Sequence, residues 1–414
     1  MQSRFKKKEK LFLYIILILL IINLFSCAKT DISNENESVK ETFDETKTII
    51  EIENSIKDPF EDVIEPRENF ISIKNRDKKD VFCFAGDVFL SERPRKAYDE
   101  AGIDGIIDEE YKKVLSDCDL SVANLECSIT DDKENKEEKT FTFALPTKYI
   151  SAIKEIGVDL FTLANNHILD YGVDAMFNTM KLLDENGILH IGVGENISEA
   201  RSVYIKEIEG KRYAFIAASA VLPKDAWRAE KDRAGVYSGY DLAQLSEEIK
   251  IVKNYVDKVI VYMHWGKELD EVSNESQKKY AKIIVNAGAD LIIGAHSHTV
   301  QEIEYIDGVP VVYGLGNFIY GGTMKDTMLL TATFDYSDDE NGELQLKIYP
   351  GISNYTKVRR YWESDIIDVK LKDMQDKCTT CYIDYEGNVY DIYKINFDDE
   401  TNIDEIESFD DKEE

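Results

Sequence analysis

The chain has 414 residues, 43% of them hydrophobic, and a formal net charge of −31 at pH 7. That is ample apolar material for one large α/β core with additions, or for two domains. So acidic a chain excludes nucleic acid and anionic lipid as general partners, and repels a bulk polyanion except where a metal or local basic residues reverse the field.

The chain opens on a targeting pattern. Arg4, Lys6, Lys7, Lys8 and Lys10 precede an apolar run over 11–25 that Asn23 alone interrupts. A short apolar run behind a basic start reads as a signal peptide. Its end, Leu24-Phe25-Ser26-Cys27, resembles a bacterial lipobox, in which Cys27 becomes the lipidated first residue of the mature chain. An uncleaved anchor is the alternative. Either reading puts the rest at the extracytoplasmic face of a cell membrane. Several acyl chains on one cysteine hold firmly there, where a single chain is marginal. Residues 28–78 are polar and acidic, a composition expected of a disordered tether.

The folded domain is expected over 79–363. Strands at 81–85, 120–123 and 160–164 alternate with helices at 109–116, 147–156 and 173–185, the last stopped by Asn186-Gly187. Runs at 204–208 and 212–218 flank Glu209-Gly210-Lys211 as a hairpin. A helix over 241–256 takes Asp241 as its N-cap. A strand at 259–263, a helix at 275–287 and a strand at 291–294 follow. From Val300 onward strand-like runs succeed one another, at 301–305, 309–313, 327–334 and 344–349. This order predicts a two-layered sheet core flanked by helices and antiparallel in its C-terminal half. Residues 364–414 are expected to fray as an acidic extension. Cys83, Cys118 and Cys127 read as buried small hydrophobes. Cys378-Thr379-Thr380-Cys381 is spaced for a local disulfide in an exported chain, and no second pair accompanies it for a zinc knuckle.

Four of the five histidines fall in short polar bursts that each follow an expected strand. His167 follows 160–164 with Asn165, Asn166 and Asp170. His264 follows 259–263, and His296 and His298 follow 291–294. Two earlier bursts carry carboxylates, Asp87 after 81–85 and Glu126 after 120–123. Residues at the carboxyl ends of strands project into a common crevice. At i, i+2 in an extended segment His296 and His298 would share a face, and Gly294 permits the backbone to turn.

Carboxylate, amide and imidazole donors without thiolate suit Mn, Fe, Zn or Mg. Asp87, Glu126, Asn166, His264, His296 and His298 are the candidate ligands of one or two divalent ions. His167 neighbours Asn166 and points elsewhere. Asp170 can orient its ring, which makes His167 the candidate general acid. Alternatively Asp170 caps the helix at 173–185.

Six ordered motifs over about 80–325 resemble the bacterial CapA (PgsA) family. They are Gly86-Asp87; Asn124-Leu125-Glu126; Ala164-Asn165-Asn166-His167 with Asp170 and Gly172; His264-Trp265-Gly266 with Glu268; Gly294-Ala295-His296-Ser297-His298 with Gln301; and Tyr313-Gly314-Leu315-Gly316-Asn317-Phe318. That family is linked to poly-γ-glutamate capsule synthesis and in turn resembles calcineurin-like metallophosphoesterases. The resemblance implies a four-layer sandwich of two mixed β-sheets flanked by helices, holding two metals. It implies an anchored protein whose partners are poly-γ-glutamate, or a related polyanion or intermediate, and membrane synthase or export subunits. Asp87 matches the first-motif aspartate, Glu126 the bridging carboxylate, Asn166 and His167 the Asn-His pair, His264 the lone histidine, and His296 with His298 the closing pair. Asn124, Asn165, Glu268 and Asn317 are then expected to contact substrate. The Asp-x-His of the phosphoesterases is Asp87-Val88-Phe89 here, so one metal lacks its histidine.

Overall fold

The computed structural model describes residues 78–395. The expected signal peptide, Cys27, the tether over 28–77 and the stretch over 396–414 lie outside the described residues. Among the described residues no helix is long and apolar enough to cross a membrane.

Two sheets dominate. The larger has ten strands and contains β1 (Lys79–Val88), β2 (Leu120–Leu125), β3 (Leu160–Thr162) and β4 (Leu189–Ile191) side by side and parallel. The smaller has six strands, among them β5 (Tyr204–Ile208), β6 (Lys211–Ser219), β7 (Lys258–His264) and β8 (Leu291–Ala295). In it β5 and β6 form the expected hairpin, β6, β7 and β8 run parallel, and β9 (Ile303–Ile306) closes one edge antiparallel to β10 (Val309–Val312), which runs parallel to β8. The chain then returns to the larger sheet. β11 (Asn317–Ile319) lies parallel to β1, while β12 (Lys325–Asp335) and β13 (Glu343–Ser353) extend the sheet antiparallel beyond it. The C-terminal half is antiparallel only in part: β10 and β11 pair parallel with β8 and β1, and the antiparallel strands are split between two sheets.

Strand alternation explains the layers. In β7, Ile260 and Tyr262 join the core between the sheets, while Val259, Val261 and Met263 join a second core outside. Tyr213, Phe215 and Ala217 of β6 face inward likewise, and Ala214, Ile216 and Ala218 outward. A strand buried on both faces has no polar alternation, which is why these runs read as continuously apolar. Across the inner layer Phe82 of β1 meets Tyr213 at 4.6 Å between ring centroids. On the outer face of the small sheet lie α4 (Leu242–Lys253) and α5 (Glu275–Ala287), which bury Leu245, Ile249, Ala281 and Ile284 there. The larger sheet is backed by α2 (Glu109–Asp117) and α3 (Gly172–Glu185). The preceding α1 spans Glu92–Ala101. Asp241 caps α4 by accepting from Gln244 N, as expected.

The boundary expected at residue 363 is corrected. β14 (Val358–Arg360) pairs with β13, α6 covers Ser364–Gln375, and the hairpin of β15 (Cys381–Ile383) and β16 (Asn388–Asp391) adds to β13 through β16. The acidic composition hid the apolar residues Leu371, Met374, Ile383 and Val389, all buried in the main core. Cys378 and Cys381 carry separate thiols rather than a disulfide. The Cys378 sulfur accepts from Ile303 N and the Cys381 thiol donates to Ile303 O, each at 3.5 Å, and Thr380 Oγ1 accepts from Tyr305 N at 2.7 Å. These contacts tie the segment to β9. Cys83, Cys118 and Cys127 are buried, as expected.

Candidate metal centre

All five bursts arrive at one crevice, at the carboxyl ends of β1, β2, β3, β7 and β8. Asp87 and Glu126 are 1% and 0% exposed, and His264 and His296 are 1% and 4% exposed. Close backbone approach builds one wall. A Cβ on Gly86 would lie 1.8 Å from Gly316 O, so only glycine lets β1 run against the turn before β11. That approach pairs Asp87 with Asn317 across the two strands.

The donors form two groups around a shared carboxylate. Glu126, His264 and His296 bring ligand atoms within 4.8 Å of one another, and so do Asp87, Glu126 and His298. His264 Nε2 lies 3.6 Å from Glu126 Oε1 and 2.8 Å from Asn166 Oδ1. His298 Nδ1 lies 3.2 Å from Asp87 Oδ2 and 3.7 Å from Glu126 Oε2. Both Glu126 oxygens and His296 Nδ1 are buried without a hydrogen-bond partner. A buried carboxylate with no donor is costly unless a cation takes it. This donor set, with its orphaned atoms, fits divalent-metal binding, with Glu126 common to both groups.

Electrostatics point the same way. Burial, reinforced by the neighbouring Asp87 carboxylate, pushes Glu126 well above the usual carboxylate range. Burial pushes His296 down to about 3 and His264 well below the ordinary imidazole value, with the other histidines adding to the effect. For His298 burial also opposes charge, but Glu126 and Asp87 outweigh it and lift the ring to about 9.

His296 and His298 converge by a route other than an extended segment. Their φ values are 91° and 56°, a left-handed conformation in which non-glycine residues are strained. The turn is held by Asp87 Oδ2 accepting from His296 N, by Ser297 Oγ donating to Thr299 O, and by Ser297 O accepting from Leu269 N.

His167 stands beside the donor groups. Its Nδ1 meets Asp170 Oδ2 at 2.5 Å, and its ring stacks on Phe143 at 4.0 Å. Burial lowers its pKa, against the pull of Asp170. Asp170 orients the ring and is no helix cap: α3 follows Tyr171, and no side chain caps it. Asp170 Oδ2 also accepts from Phe143 N, and Asp170 Oδ1 from Lys139 Nζ at 2.6 Å. Lys139 was not legible in the sequence, because it sits in a charge run that reads as a solvated loop. Its Nζ also donates to Asn166 O at 2.6 Å and lies 5.1 Å from the Trp227 ring centre.

The expected substrate contacts divide. Asn124 and Asn165 are fully buried and face the protein instead. Asn124 donates to Asp87 Oδ1 and accepts from Asn165, and Asn165 Oδ1 accepts from His167 N and Ile168 N. They position the candidate ligands, because an amide offers donor and acceptor to both neighbours at once. Glu268 is exposed on the loop after β7. Asn317 is 7% exposed, with its Oδ1 2.8 Å from His298 Nδ1.

Two mixed sheets stacked between helices, with imidazole, amide and carboxylate donors paired around one glutamate at their strand ends, define an α/β sandwich protein with a candidate dinuclear metal centre. The chain belongs to the family described as "Bacterial capsule synthesis protein PGA_cap", which matches residues 81–321 and so more than half of its length. It is 28% identical over 297 residues to the capsule biosynthesis protein CapA of Bacillus anthracis, covering 69% of this chain and 71% of that one. It is 27% identical over 269 residues to the PGA biosynthesis protein CapA of Bacillus subtilis, covering 64% and 70%. Among solved structures, a phosphatase from Mycoplasma pneumoniae aligns with a TM-score of 0.44 at 11% identity, covering 67% of this chain and 95% of that one. The calcineurin-like phosphoesterase YfkN from Bacillus subtilis aligns with a TM-score of 0.40 at 16% identity, covering 68% and 92%.

Proposed function

We propose that this CapA-like protein acts in the synthesis or export of a poly-γ-glutamate capsule, and that its crevice is a metal-dependent hydrolase-like site. One observation carries the second half: the Glu126 carboxylate, wholly buried and facing His264 and His298 at 3.6 and 3.7 Å, is common to two groups of ligand atoms. Glu126, His264, His296 and Asn166 would hold one divalent ion, and Asp87, Glu126 and His298 the other. Bound there, such ions supply Lewis acidity and lower the pKa of water. They also reverse the field of an acidic chain where an anionic substrate must approach. The substrate class is a phosphorylated or amide-linked intermediate of the polymer.

The chain's own residues do the rest. With Nδ1 engaged by Asp170, His167 keeps Nε2 for a proton handed to the leaving group. Lys139 pairs with Asp170 and ties its loop to Asn166 O. Phe143 lies flat on the imidazole and shields it from water. Purified protein is expected to bind divalent metal, and Glu126→Gln and His296→Ala to lower the metal counted by elemental analysis. Unchanged metal in both would sink the site.

A second reading, a polymer-binding subunit without catalysis, is favoured by Phe89. It occupies the position expected to supply a histidine, and its ring stacks on Phe143 at 4.5 Å. Rescue of capsule by His167→Ala in a deletion strain would support this reading, whereas loss of capsule with normal protein levels would support catalysis. Lipidation at Cys27, with membrane synthase or export subunits as neighbours, rests on the targeting pattern and the family. Cys27→Ser should move the protein out of the membrane fraction. Retention there would refute lipidation and favour the uncleaved anchor.

A further inference from the structure

We propose that Asn317 ligates the ion on the Asp87 side and makes the centre asymmetric, with an imidazole-rich position for a zinc-like ion and an oxygen-rich position for a harder, exchangeable ion such as Mn²⁺. This rests on the reading of the crevice as a metal site and goes beyond it. Asp87-Val88-Phe89 leaves the Asp87 side short of a donor. Phe89 cannot supply one, because its ring packs among Phe143 and Tyr320 at 4.5 and 5.7 Å.

Asn317 stands where the missing donor is needed. Its Oδ1 is 2.8 Å from His298 Nδ1, the atom that also faces Asp87 Oδ2 at 3.2 Å and Glu126 Oε2 at 3.7 Å. Three oxygens from three chain segments thus surround His298 Nδ1 within 3.7 Å. Backbone geometry fixes the placement: Asn317 opens β11 in register with Asp87, behind Gly316 at φ 75° and against Gly86.

The two donor sets are then chemically unlike. The His264 side offers two imidazoles, whose ring centroids stand 4.7 Å apart, with Asn166 and one arm of Glu126. The Asp87 side offers three oxygens, from Asp87, Glu126 and Asn317, and the single imidazole of His298. Imidazole favours zinc and its neighbours, and oxygen sets favour manganese and magnesium. The competing explanation is that Asn317 only orients the His298 ring through a hydrogen bond.

Metal preference separates these explanations. Chelator-stripped protein is titrated with Mn²⁺ and with Zn²⁺, with affinity read by calorimetry and stoichiometry by elemental analysis after desalting. Wild type is expected to retain one ion through desalting and to take a second more weakly. Asn317→Leu should keep the first and weaken the second at least tenfold. Asn317→His, which replaces oxygen by imidazole, should shift the second position from Mn²⁺ toward Zn²⁺ by a similar factor. An orienting role predicts no such change of preference. Wild-type binding of the second ion by Asn317→Leu, or unaltered preference in Asn317→His, overturns the inference and leaves the metal centre standing. A wild-type protein that binds no ion overturns both.

Discussion

Asn124 donates from Nδ2 to Asp87 Oδ1 over 2.8 Å, and the same nitrogen lies 3.4 Å from His264 Nδ1. One amide on β2 therefore touches ligands from both sheets. Asn124→Leu keeps the volume and removes every polar contact. It should cost about 1–3 kcal/mol by stranding the buried partners, and weaken metal binding by roughly 10–100-fold. Thermal melts with and without metal, beside metal titrations, check both. Wild-type affinity would show that Asp87 needs no such support.

Lys139→Met tests the loop cation. Asp170 is 0% exposed and Lys139 is 20% exposed, so the pair is half-sheltered and screening reduces its worth. A loss of about 1–2 kcal/mol is expected from unfolding curves. If the site is catalytic, kcat should fall more than KM changes, since the damage is to the orientation of His167. A KM effect alone would place Lys139 at the substrate instead.

Gly86→Ala should be severe. The new methyl would meet the Gly316 carbonyl at 1.8 Å, a backbone atom that cannot swing away. Overpacking of this kind costs about 1–3 kcal/mol or more. Gly322→Ala is the control, for nothing lies within 4 Å of its Cβ position. Comparable melting temperatures for the two variants would contradict the close approach of β1 and β11.

Stability should carry a mild acid-side slope from Asp80. Burial raises its pKa from 3.8 to about 6, against the hydroxyl of Tyr213, which donates to it at 2.5 Å. The folded state therefore holds the proton longer than the unfolded chain. The stabilisation is fully present below pH 4 and is lost as pH rises through 6, an effect on the order of 1–2 kcal/mol. Asp80→Asn should flatten that window in denaturant titrations between pH 4 and 7. A slope unchanged in the variant would assign it to other groups.

The sequence made the crevice legible because each donor follows a strand, and strand ends are marked locally by apolar runs that stop. What stayed hidden depends on pairings distant in the chain. Asn124 and Asn165 read as substrate contacts until the β2–β3 pairing brings them together under the candidate ligands. Lys139 belongs to a charged loop, and only the fold returns it to Asp170, 31 residues on. Asn317 gains its place from the parallel pairing of β11 with β1, across 230 residues that no local pattern spans. The terminal hairpin was missed because its buried side chains are thinly spread through an acidic stretch.

That hairpin has a colloidal consequence. β9 is the outermost strand of the smaller sheet, and an outermost strand presents open backbone groups on which a foreign strand can dock. The thiols of Cys378 and Cys381 and the Thr380 hydroxyl occupy the Ile303 and Tyr305 groups that would serve as that template. Side chains cannot propagate a ladder as another strand would, so they end the sheet. A chain cut before Cys378 would uncover the template, and its expected fate is self-association into oligomers, seen by light scattering.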